Sequence, residues 1–188
     1  MSALATDLLG AHPPAAPALE WHVACAAPAG AARVVVFGYG PQTCEHVRAL
    51  LGVRALRHVV MAGRDEAALR EAVATLGAAV PAVAFDAVPA GDTGAVRTAV
   101  GAADVVCTCT SSPAPLFDGR WLRAGAHVNC VGAFTADARE VDSEVRVLCA
   151  AAAGRRLFTT ARGRWCGARG ACWWTPWRRW PRAICVGP

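Results

Sequence analysis

The run Arg33-Val34-Val35-Val36-Phe37-Gly38-Tyr39-Gly40-Pro41-Gln42-Thr43 carries the decision about fold. Arg33 to Phe37 is an apolar, β-branched stretch, short enough for a strand buried on both faces. Gly38-Tyr39-Gly40 breaks it, and from Pro41 to Leu51 helical periodicity returns through Val47, Leu50 and Leu51. Gly38 permits a tight turn. Gly40 has no Cβ, so the backbone there can approach a pyrophosphate resting on the free N–H groups and positive dipole of the helix start. Pro41 is tolerated in the first helical turn, where its missing N–H has no helical partner. Thr43 stands where a Gly or Ala is usual, a departure that would loosen helix–strand packing. An ordinary strand-to-helix turn could use the same residues, so the downstream pattern decides between the two readings.

Downstream the elements alternate. His58 to Ala62 is a second apolar run, and Asp65 is placed to cap a helix from Glu66 to Leu76. Val83 to Phe85 reads as a short third strand. Asp92 or Thr93 caps a helix to Val100, followed by a strand from Asp104 to Thr110. A turn-rich segment, Ser111 to Gly125, leads to a strand from Ala126 to Val131 that Gly132 ends. Strands alternating with helices of about ten residues predict a parallel sheet covered on both faces, a doubly wound α/β domain that binds NAD(P). The second strand's tip reads Met61-Ala62-Gly63-Arg64-Asp65 and has no carboxylate placed for a ribose 2′-OH. The donor fork of Arg64 suits a 2′-phosphate instead, which favours NADP over NAD, with NAD remaining possible. Helix capping accounts for Asp65.

Composition bounds the rest. The 188 residues fit one domain or one and a fraction, and 55% hydrophobic against 18% charged residues leave ample material for a core. The net charge of +5 is uneven: from Gly154 onward there are eight arginines and no Asp or Glu, so residues 1 to 153 are slightly acidic. A global nucleic-acid surface is therefore not expected. No run reaches the ~18 apolar residues of a membrane span. The N-terminus lacks a basic region before an apolar stretch, so a cytoplasmic protein is expected. Nine cysteines with no CxxC pair read as buried, reduced thiols, and no metal site is expected. Residues 2 to 9 look like the end of an amphipathic helix, and 10 to 32 like an Ala/Pro/Gly-rich lead-in. The expected division is 1–32 lead-in, 33–150 nucleotide-binding domain and 151–188 irregular tail. That tail holds five of the seven tryptophans and has neither helical nor strand period. Pro176 and Pro181 oppose a continuous helix there. Its abrupt composition resembles translation out of frame or a changed exon; a role at anionic surfaces is the functional alternative.

Three segments add a resemblance: Ala103 to Ser112, Pro115-Leu116-Phe117-Asp118-Gly119, and Leu122 to Gly132. With Gly38-x-Gly40-Pro41-Gln42 and Arg139-Glu140-Val141-Asp142, they resemble the ornithine cyclodeaminase/mu-crystallin family over about residues 33 to 148. The resemblance implies a Rossmann domain, a partner domain that builds the substrate pocket and the homodimer, and hydride transfer to the carbon of an imine or ketimine derived from an amino acid. By position it implies that Gly38, Gly40, Pro41 and Gln42 hold the pyrophosphate and Arg64 the 2′-phosphate. Thr110, Ser111, Val131 and Gly132 would line the nicotinamide end. Three departures bear on function. Cyclodeaminases have an aspartate just after the glycine that ends the fifth strand, whereas here Ala133-Phe134-Thr135 precede the first acid, Asp137. A mu-crystallin-like ketimine reductase fits better than ammonia elimination. Met1 to Leu9 resembles the end of the helix leading into the Rossmann half, without the Arg-Thr pair at that helix's start or the N-terminal domain with its carboxylate-binding residues. Weak or absent turnover by this chain alone is the expectation. Beyond about Cys149 the family pattern is lost. Thyroid-hormone-like ligand binding, also associated with the mu-crystallin branch, and cyclodeaminase chemistry remain the alternatives. No catalytic residue stands out: His127 reads as packed in a strand, Asp104 as closing a turn and Asp118 as a turn residue, while Asp137 and Glu140 could approach the cofactor mouth but read better as part of a solvated loop.

Overall fold

A computed structural model describes residues 27–131 and 139–145, together with the backbone of 157–159, 164–166 and 172–174. The expected helix at 2–9 lies outside the described residues. β1 spans Arg33–Phe37, α1 Pro41–Val53, β2 His58–Gly63, α2 Glu66–Ala79, β3 Ala84–Pro89 and α3 Thr93–Ala102. β4 follows at Val105–Thr108, then a 3₁₀ turn at Gly119–Trp121, β5 at His127–Cys130, and three short strands: β6 Leu157–Thr159, β7 Arg164–Cys166 and β8 Cys172–Trp174.

The sheet order is β3-β2-β1-β4-β5-β6-β7-β8. β3 through β6 run parallel, and β7 and β8 add antiparallel ribbons. The order reverses between β1 and β4, so the chain winds outward in both directions from the centre. This is the doubly wound α/β architecture expected from the sequence.

Every residue of β4 and β5 is buried, as is β1 beyond Arg33. β1 and β4 therefore read as nearly continuous apolar runs, whereas β5 buries His127 and Asn129 between its apolar residues. Alternate residues feed two cores. Val34, Val36, Val59, Met61 and Val105 meet α1 and α2 through Val47, Leu50, Leu69 and Leu76. On the opposite face Val35, Phe37, Val60, Val106 and Val128 meet Val96 and Val100 of α3. Phe37 stacks on Phe117 from the loop after β4, with ring centroids 5.4 Å apart and planes at 15°.

Several boundaries move for tertiary reasons. α2 runs three residues beyond the expected Leu76 to Ala79. Its Asp65 cap accepts from the N–H groups of Ala67 and Ala68, at 3.0 and 3.1 Å. At α3 the cap is Asp92, which accepts from Ala95 N–H at 2.9 Å. β3 extends to Pro89, well past the expected Phe85, because His58 to Gly63 of β2 offer six consecutive partners. β4 stops at Thr108, short of the expected Thr110, because the Thr110 N–H turns out of the ladder to a side chain. Within 151–188 the described residues form three three-residue strands, β6, β7 and β8. Each is too short to display a strand period, and its pairing comes from the neighbouring backbone. No helix among the described residues is long and apolar enough to cross a membrane.

Several polar residues are buried in these elements, and His46 is one with a consequence for pH. His46 lies on the core face of α1, 4% exposed, with Nδ1 2.7 Å from the carbonyl of Gln42. Nδ1 donates to that carbonyl, so Nε2 is the unprotonated nitrogen, buried without a hydrogen-bond partner among the described residues. Burial lowers its pKa and outweighs the Gln42 carbonyl, which raises it. A depressed folded pKa means that stability is full above the unfolded value of about 6.5 and falls as pH drops through the folded one. Urea titrations should show the wild type losing on the order of 1 kcal/mol between pH 7 and 5 that His46→Gln retains. An identical pH dependence in the two proteins would rule this out.

Candidate functional site

The carboxyl ends of β1 and β4 diverge where the strand order reverses, the position at which open α/β sheets present a crevice. Gly38 sits at its base with φ +115°. Its N–H donates to the Ala62 carbonyl of β2 at 2.8 Å, and the Cys109 N–H just beyond β4 donates to the Phe37 carbonyl, also at 2.8 Å. Three strand ends are thus tied at one glycine. A Cβ on Gly38 would stand 2.5 Å from the Cys109 carbonyl oxygen.

Gly40 is the N-cap of α1, with extended backbone and no side-chain cap on the helix start. A Cβ there would meet nothing within 4 Å, so open space lies before the first turn. Pro41 and Gln42 are exposed beside it. Thr43 is fully buried beneath the turn. Its hydroxyl oxygen lies 3.1 Å from where a Cβ on Gly38 would stand. An uncapped helix start carrying partial positive charge, fronted by a residue without a side chain, is an arrangement that can take an anionic phosphate.

Arg64 follows the last residue of β2 and is exposed. Among the described residues no carboxylate pairs with it. The neighbouring Asp65 is engaged by its own helix cap, as expected. Gly63, which sequence reasoning passed over, has a steric role: a Cβ there would come within 2.5 Å of the Tyr39 ring. That ring closes the turn over the β2 tip.

On the other side of the crevice stand Thr110, Ser111 and Val131. Ser111 is exposed, and Val131 donates its N–H to the Thr108 carbonyl at 2.9 Å. Gly132 and Asp137 lie outside the described residues. Thr110 is engaged by Glu140, which overturns the reading of Glu140 as part of a solvated loop. Its side chain is 2% exposed. It accepts from Thr108 Oγ1 at 2.7 Å, Thr110 N–H at 2.8 Å and Thr110 Oγ1 at 2.5 Å. The nearby Asp142 accepts from the Gly119 and Val145 N–H groups at 2.9 and 3.0 Å. Glu140 lies in the run Arg139-Glu140-Val141-Asp142, where one apolar residue among three charged ones does not announce its burial.

Cys44, Cys107, Cys109 and Cys130 are reduced, in no disulfide. Burial, with the neighbouring Cys130 adding to it, pushes Cys107 up to about 12. Burial likewise raises Cys109 well above the usual thiol range. Neither is a thiolate nucleophile near neutral pH. His127 is buried in β5, in keeping with a packed residue. Among the described residues no group of three or more His, Cys, Asp or Glu could hold a metal ion. Two cavities lie at the opposite end of the strands, around Arg33, His58 and Asp86.

Strand order, glycine turn and uncapped helix together define a Rossmann-type domain. The chain belongs to the ornithine cyclodeaminase/mu-crystallin family, whose model matches residues 15–156. It is 34% identical over 110 residues to a Delta(1)-pyrroline-2-carboxylate reductase of Colwellia psychrerythraea, covering 58% of this chain and 33% of that protein. It is 44% identical over 54 residues to the ketimine reductase mu-crystallin of Macropus fuliginosus, covering 29% of this chain and 17% of that one. The fold superposes on the iminosuccinate reductase of Paracoccus denitrificans in complex with NAD+ with a TM-score of 0.56 and 25% identity, covering 80% of this chain and 41% of that one. The chain thus spans a third or less of the length of the relatives it matches in sequence.

Proposed function

We propose that this chain forms the NADP-binding part of a ketimine (imino acid) reductase. The observation that carries the reading is the Gly38–Gly40 turn, which leaves open space before an uncapped helix at the sheet's switch point. The reductase names of the sequence relatives support the reaction class. When bound, the nicotinamide cofactor supplies a hydride to the carbon of a C=N bond. Gly38 sets the turn, Gly40 admits the pyrophosphate to the helix start, and Pro41 and Gln42 begin the helix whose dipole faces it. Arg64 lies free at the β2 tip and pairs with the 2′-phosphate of NADP through its fork of donors. Thr110, Ser111 and Val131 border the nicotinamide end, where the family resemblance also assigns Gly132, which lies outside the described residues.

Calorimetric titration with NADPH and with NADH tests this. The wild type should bind NADPH at least about tenfold more tightly than NADH. Arg64→Ala should erase that preference while leaving NADH affinity within about twofold. Tighter binding of NADH would assign the site to NAD. Folded protein that binds neither nucleotide would remove the oxidoreductase reading altogether.

A further inference from the structure

Glu140 reaches back 30 or more residues to hold the end of β4 and the loop after it. Oε2 accepts from Thr108 Oγ1, and Oε1 accepts both the N–H and the hydroxyl of Thr110. Ser112 N–H donates to Thr110 Oγ1 at 3.1 Å, which turns the hydroxyl proton toward the carboxylate. The main-chain carbonyl of Glu140 accepts from Leu116 N–H at 2.9 Å, fastening the loop at its far end. Converging donors of this kind are what a buried carboxylate requires. Thr110 therefore has neither its N–H nor its hydroxyl proton left for a ligand. What it contributes to the crevice is its position.

The same loop is pressed against the glycine turn. Cys109, between the two threonines, donates its N–H to the Phe37 carbonyl and sets its own carbonyl oxygen 2.5 Å from where a Cβ of Gly38 would stand. A shift of this loop would therefore alter the crevice wall on the side away from Arg64.

We infer that Glu140 is a positioning residue for the dinucleotide: acting through Thr108 and Thr110, it fixes the crevice wall that faces the nicotinamide half. This rests on the nucleotide-binding reading above. Glu140 stands on the β4 side of the switch point, whereas the 2′-phosphate end lies at β2. Loss of Glu140 should therefore be felt by the nicotinamide half and not by the adenosine half.

The test compares NADPH with 2′-phospho-ADP-ribose, which lacks the nicotinamide, by calorimetry on the full chain, with thermal unfolding measured alongside. Glu140→Ala should weaken NADPH by at least about tenfold and 2′-phospho-ADP-ribose by less than about twofold. Glu140→Gln, whose amide oxygen can still accept from Thr110 N–H, should show a smaller loss with the same split. Where Glu140→Ala does not fold, Thr110→Val, which removes one donor and the Ser112 anchor but keeps the backbone bond, should reproduce it. Equal weakening of both ligands, or none, overturns the inference while leaving the nucleotide site standing. Wild-type chain that binds neither ligand overturns the nucleotide reading, and this inference with it.

Discussion

Gly38→Ala is expected to destabilise the domain by about 3 kcal/mol or more, the largest single-residue effect foreseen here. Two costs combine. The backbone at φ +115° lies where L side chains are strained, and the new methyl would sit 2.5 Å from the Cys109 carbonyl oxygen. That oxygen cannot swing away as a flexible side chain would. The Cys109 N–H is bonded to Phe37, and the following Thr110 is held by Glu140. Relief would require separating the ends of β1 and β4. For a domain of this size the cost corresponds to a fall of roughly 10 °C in thermal midpoint. Gly40→Ala is the control. Its methyl enters open space, so only the poorer cap preference of alanine, about 0.5 kcal/mol, should appear in thermal unfolding. NADPH affinity in calorimetry should nonetheless fall by about tenfold or more, because the methyl occupies the approach to the helix start. A Gly38→Ala protein melting within about 2 °C of wild type would refute the steric argument. Unchanged NADPH binding by Gly40→Ala would show that the phosphate does not lie there.

Asp104→Ala is expected to cost about 3 kcal/mol at neutral pH. Asp104 is 8% exposed at the start of β4, and its Oδ2 accepts from the N–H groups of Ala32 and Arg33 at 2.7 and 2.8 Å. Oδ1 pairs with the Arg123 guanidinium, which also donates to the Ala103 carbonyl. One carboxylate thus joins the entries of the two central strands and anchors the segment before β5. Alanine would leave two N–H groups and a guanidinium without their acceptor. Asparagine keeps an oxygen for the two N–H groups but turns an NH2 toward Arg123, so Asp104→Asn should cost roughly half as much. Burial works against ionisation of Asp104, but the two N–H donors and Arg123 outweigh it and hold its pKa below the ordinary value. A depressed folded pKa means the contribution is complete above the unfolded value of about 3.9 and is lost as pH falls below it. Urea unfolding at pH 7 and again near pH 3 should show the gap between wild type and Asp104→Ala narrowing in acid. A gap that stays constant would place the effect in packing alone.

Much of this architecture is legible without coordinates, and the legible parts share a cause. The strand-to-helix turn at Gly38-Tyr39-Gly40, the apolar runs of β1 and β2 and the Asp65 cap all express local chemistry: backbone freedom, β-branching and short-range hydrogen bonds. Parallel order follows from the alternation of such elements. The candidate phosphate loop and Arg64 were read from the same local signals, and the fold sets them at the crevice and at the β2 tip.

What the sequence alone determined, then, was the order and type of the elements from Arg33 to Cys130 and the position of the glycine turn among them. The tertiary structure decided whatever depends on partners distant in the chain. β3 gained its length from the register with β2, and β4 lost its last residues to a carboxylate 30 positions away. Asp104 became a tie between two strand entries 71 positions apart. Glu140 passed from an apparent surface acid to the buried anchor of the crevice wall, because its three donors come from elements that only folding brings to it. Local pattern reports the preference of a residue for a conformation. Burial of a charge depends on whether other segments supply the donors it needs, and that is settled only when the sheet has formed.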